Sequence, residues 1–183
     1  MVFLIAVIVG FLFGGADQYL GSVISLGPWA ASVSGMSAPW LVFPFAFGLS
    51  QMSARRAALV GLTATASAVI GYFVLTLSPL EGVSLSHVDL IGFAHSQREI
   101  IVGGLVTGPL FGFLGQRWRT TRSWLSAALV AGVLCLEPLA RFAVGRLDPP
   151  RDVWMIEVVI GAALAAYFLI AGAVYRQRSR RPV

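Results

Sequence analysis

Residues 153–175 read VWMIEVVIGAALAAYFLIAGAVY, with Glu157 as the only charged side chain. A bilayer core about 30 Å thick takes about 20 apolar residues to cross as a helix. The run meets that length and ends in arginine: Arg176, Arg178, Arg180 and Arg181 follow it. A membrane span with a basic flank on one side is the reading, and it sets the pattern for the rest of the chain. Five more runs fit: Val2–Leu20, Ser37–Met52, Ala57–Leu77, Glu99–Gly115 and Trp124–Val144.

Composition agrees. Hydrophobic residues make up 57% of the 183 and charged residues 11%, against about 25% charged in soluble domains. Disorder, a collagen repeat and a disulfide scaffold are excluded by the apolar content, the aperiodic glycines and the single cysteine, Cys135. The net charge of +5 does not point to nucleic acid. Every one of the 13 basic residues is arginine, and most flank apolar runs. The sequence therefore predicts an all-α polytopic membrane protein with six transmembrane helices. Residues 1–175 form one transmembrane domain and 176–183 a basic cytoplasmic tail. Val2–Leu20 lacks a basic start and a cleavage site, so it is expected to stay as the first span.

Arginine placement orients the helices. Arg55 and Arg56, then Arg117, Arg119 and Arg122, then the tail fall on one side and carry no acid. Arg98, Arg141, Arg146 and Arg151 fall on the other with the acids. Both termini are expected in the cytoplasm of a bacterium, with the protein in its inner membrane. Trp29, Trp40 and Trp154 are expected at the outer boundary, Trp118 and Trp124 at the inner one. The outer connections Gly21–Met36 and Ser78–Arg98 are long and the inner ones tight, so the functional mouth is expected outside.

Small residues recur every fourth position at Ala6, Gly10 and Gly14, and again at Gly104, Gly108 and Gly112. Such ladders let helix backbones meet inside lipid. They serve either packing within the chain or docking of a partner subunit. Pro44, Pro109 and Pro138 lie within spans and are expected to bend them.

Charges inside a membrane are costly, about 2.5–3.5 kcal/mol on insertion scales, and so mark candidate sites. Asp17 lies about 22 Å along the first helix and Glu137 about 20 Å along the fifth. Arg141 is one turn beyond Glu137, on the same face, and can pair with it. Glu157 enters the last helix near its outer end and is expected near the headgroups. Glu99 opens the fourth span. Gln18 and Tyr72 reach similar depths, and Trp29 and Trp40 would supply aromatic walls. These nine residues are the candidate ligand-binding set, and Glu137 and Asp17 the candidate catalytic acids. His87, Asp89 and His95 fall on a loop and are read as solvated, so no metal site is expected. No cofactor is expected either, and a phosphate-binding loop with lysine is impossible in a chain without lysine.

The stretch Ser34-Gly35-Met36-Ser37-Ala38-Pro39-Trp40, with Phe45-Ala46-Phe47-Gly48, Arg55-Arg56-Ala57-Ala58, Gly71-Tyr72, Gly108-Pro109, Phe111-Gly112 and Glu137, resembles an uncharacterised family of bacterial six-helix integral membrane proteins. That resemblance implies the fold and brings no activity. In size, helix number and the ladder on helix one, the chain is also similar to the substrate-binding subunits of energy-coupling-factor transporters. That similarity implies an outward cavity and a membrane partner subunit. The function expected is a small-solute binding or transport component with an outward-facing polar cavity. The alternatives are an intramembrane enzyme acting on a lipid or isoprenoid through an embedded carboxylate, and an accessory or scaffold subunit. The lipid bilayer is the expected partner, with a partner subunit or a second copy of the chain as further possibilities.

Overall fold

The computed structural model describes residues 1–79, 90–145 and 150–179. Glu81, His87, Asp89 and Arg146 lie outside them. The described chain is all helix and turn. Helix α1 is Val2–Ser22, α2 Pro28–Ser34, α3 Ala38–Leu49 and α4 Ala54–Thr76. Then come α5 Leu90–Ser96, α6 Arg98–Thr121, α7 Trp124–Ala143 and α8 Arg151–Ser179. Among the described residues, α1, α4, α6, α7 and α8 are long and apolar enough to cross a membrane alone.

The second expected span is different. Helix α3 has 12 residues, which is about 18 Å of rise and short of a bilayer core. It passes the length and apolarity test only together with α2, from which it is bent by 51°. Local sequence explains the break. Gly27 has φ +82°, and Pro28 starts α2 at a position where its missing N–H costs nothing. Gly35 and Met36 then separate α2 from Ser37, which stands just before α3, with Pro39 in the first turn of that helix. The long outer connection expected at Gly21–Met36 thus contains a helix, with Ala30 and Ser32 buried.

Helices α1, α3, α4 and α6 form the main bundle, and both glycine ladders hold it together. A Cβ on Gly14 would strike the backbone of Ala68, and one on Gly10 the carbonyl of Ala64. The helix-one ladder is therefore covered by α4 of the same chain. On α6, Gly112 sits where three helices meet. Its own Cβ would strike the Ala57 carbonyl of α4, and a Cβ on Gly48 of α3 would strike the Gly112 carbonyl. Close backbone approach replaces the hydrophobic drive, which lipid does not supply.

Helices α7 and α8 pair as a hairpin beside the bundle. Phe168 of α8 packs edge-on against Trp118 of α6 and Phe45 of α3, with ring centroids 4.6 and 6.0 Å away. The surface inverts the soluble pattern. Phe3, Leu4, Ile8 and Leu12 of α1 and Ile160 and Leu169 of α8 point outward, while alanine and glycine fill the contacts. Side chains of that kind need lipid around them. Of the expected belt, Trp29 and Trp124 are exposed. Trp118 and Trp154 are instead buried in the bundle, at 2% and 3% exposure.

Candidate functional site

Four of the nine candidate residues surround one cavity of about 320 Å³, lined also by Ser34, Met36, Ser37, Thr65 and Thr107. These four are Asp17 of α1, Trp40 of α3, Tyr72 of α4 and Glu99 of α6. Glu99 is exposed and sits at the start of α6, while Thr107 lies two turns further in. The cavity follows α6 for about 12 Å. None of its lining residues comes from α7 or α8. Ser34, Met36 and Ser37, at the break between α2 and α3, form one wall of it.

Asp17 reaches the cavity because it continues the small-residue stripe of α1. Ala6, Gly10, Gly14 and Asp17 are its buried residues, at spacings of four, four and three, so they share one face. Asp17 is 9% exposed. Its Oδ2 accepts a hydrogen bond from Trp40 Nε1 at 3.2 Å. The Trp40 ring meets Tyr72 edge-on at 6.1 Å and Phe13 at 5.4 Å.

Glu137, Arg141 and Glu157 form a second cluster on the far side of the break. The Glu137 carboxylate accepts the backbone N–H of Ser37 on Oε1 and of Ala38 on Oε2, both at 2.7 Å. Arg141 donates to Oε1 from Nε at 2.9 Å and from a terminal nitrogen at 2.8 Å. The same terminal nitrogen also donates to the Gly35 carbonyl. The pair expected on α7 is therefore present, and it spans the α2–α3 break. A carboxylate sits on the N-terminus of α3, where free N–H groups and the helix dipole favour negative charge. A guanidinium holds the carbonyl of Gly35, the C-cap residue of α2. Trp154 of α8 supports the arrangement, its ring 4.9 Å from the Arg141 guanidinium carbon.

Glu157, expected near the headgroups rather than buried, is 3% exposed, because α8 packs against α7. Glu137 and Arg141 face it, yet among the described residues no donor reaches either oxygen. Two acids share one cation, and the donors all go to Glu137. We therefore expect Glu157→Gln to leave thermal stability unchanged or to raise it by about 1 kcal/mol, because it removes a buried charge that has no donor and supplies an amide N–H that Glu137 can accept. A melting curve in detergent checks this. A loss of more than about 1 kcal/mol would show that the Glu157 charge supports the fold.

Gln18 and Trp29 line neither cluster. Gln18 is half-buried on α1, and Trp29 is exposed at the start of α2. Sequence reasoning missed the backbone partners of Glu137, Ser37 and Ala38, and the carbonyl of Gly35. The signal was present: Ser37 followed by Pro39 marks a helix start, and a helix start inside an apolar segment is where a carboxylate belongs.

These features define a class: a multi-pass α-helical membrane protein with an acid- and aromatic-lined cavity beside a broken helix. The chain belongs to the family of unknown function DUF6518, whose model matches residues 1–183. Comparison with curated proteins and with solved structures gives no match.

Proposed function

We propose that the protein is a small-solute binding or transport component whose cavity opens to the outer face of a bacterial inner membrane. The cavity of about 320 Å³ carries the reading. It combines a few polar groups with apolar and aromatic walls, as small-molecule sites do. The topology that goes with it has six spans, with α2 and α3 together forming the second. Both termini are then cytoplasmic, and residues 1–175 form the membrane unit with 176–183 as its basic tail. Asp17, Trp40, Tyr72 and Glu99 contact the solute. Glu137 and Arg141 act through the shape of the break, because their polar atoms are engaged with each other and with the backbone.

Two experiments test this. In a Cys135→Ser background, a cysteine at position 86 is expected to react with an impermeant maleimide in intact cells. A cysteine at position 179 is expected to react only after permeabilisation. The reverse pattern overturns the orientation and the outward opening. Second, polar solutes that raise the melting temperature of the purified protein should lose their effect in Thr107→Trp, which fills the cavity from α6. A shift that survives this substitution places the solute elsewhere.

A further inference from the structure

We infer that the cavity selects an organic cation: an ammonium or related group on a small apolar body. The inference rests on the solute-binding reading above and names the class of solute. Among the described residues, the lining contains two carboxylates, Asp17 and Glu99, and no arginine or histidine. Asp17 is nine-tenths buried, and the only donor among the described residues that reaches it is the neutral indole N–H of Trp40. The ion pair of the described residues is elsewhere, between Arg141 and Glu137. A buried carboxylate with no cation partner is costly, and a cationic ligand removes that cost.

The walls fit the same ligand. Trp40 and Tyr72 stand edge to face beside Asp17, and aromatic faces attract ammonium groups in addition to the carboxylate. Leu41, Ile100 and Met36 complete the lining with apolar surface, which suits the body of an organic cation. A bare divalent ion fits poorly, since it takes six or more oxygens and the cavity offers mainly carbon. An anion fits least, because it would meet two carboxylates and, among the described residues, no basic side chain.

The test uses three probes of one size and shape: benzylammonium, benzyl alcohol and benzoate. Each is titrated calorimetrically into the purified full-length protein in a neutral detergent. Benzylammonium is expected to bind about tenfold more tightly than benzyl alcohol, and benzoate not at all. Asp17→Asn keeps a side-chain oxygen for Trp40 and is expected to lose most of the tenfold preference for benzylammonium over benzyl alcohol, since only the exposed Glu99 remains. If the wild-type protein binds benzyl alcohol or benzoate as tightly as benzylammonium, the cation inference fails and the solute cavity stands. If no probe binds, both fail. The wild-type series decides the matter even if Asp17→Asn does not fold.

Discussion

Glu137→Ala is expected to destabilise the protein by about 3–5 kcal/mol, the usual cost of breaking a buried ion pair from one side. In a melting curve that corresponds to a fall of roughly 10 °C for a chain of this size. Four donors converge on this carboxylate. Its removal leaves two N–H groups at the start of α3 without their partner and takes from the Arg141 guanidinium the carboxylate it is bonded to, with only Glu157 still facing it. Arg141→Gln is expected to cost less, because Glu137 keeps both backbone donors. Glu137→Gln combined with Arg141→Gln is expected to lose less than the sum of the single changes, since they act on one interaction. Additive losses in that cycle would show that the two side chains do not support each other. The cycle also separates shape from chemistry. If the pair acts only by holding the break, the double variant should still bind solute once it is folded.

Gly112→Leu is expected to break the crossing of α3, α4 and α6. A side chain at this position meets the Ala57 carbonyl and the Gly61 backbone, while Gly48 of α3 rests on the carbonyl of Gly112 itself. Backbone cannot move aside as a flexible side chain can. Overpacking costs up to about 3 kcal/mol in ordinary cores, and more where neighbours are rigid. We expect little folded protein on size-exclusion chromatography in detergent. Gly132→Leu on α7 is the control. Nothing lies within 4 Å of its Cβ position, and leucine is a better helix former than glycine. It should fold normally and melt no lower than the unmodified protein. Equal behaviour of the two variants would mean that α3, α4 and α6 do not cross at Gly112.

Much of the fold was legible in the chain. Apolar runs of about 20 residues can satisfy their backbone in lipid only as helices, so the five long helices follow from residue type and length alone. The ladders at Gly10 and Gly112 also announced close helix contacts. Neither pattern says which helix is the neighbour, and the tertiary structure assigns both faces to α4. The broken span was legible only in fragments. Pro28 after Gly27 and Ser37 before Pro39 mark two helix starts, but the angle between α2 and α3 depends on what fills the corner.

The candidate site divides in the same way. Membrane charges are rare and costly, so the sequence by itself singled out Asp17, Glu137, Arg141 and Glu157 from a single chain. The Glu137–Arg141 pair was legible as well, because a spacing of four residues on a helix fixes a shared face. Their separation into two groups was not. Asp17 faces a cavity with Trp40 because α1 lies against α4 and the α2–α3 break stands open beside them. Glu137 faces the backbone of that break because α7 runs past its other side. Local spacing determines which residues share a helix face, and only the packing of distant helices determines whether that face meets a ligand, a backbone or lipid.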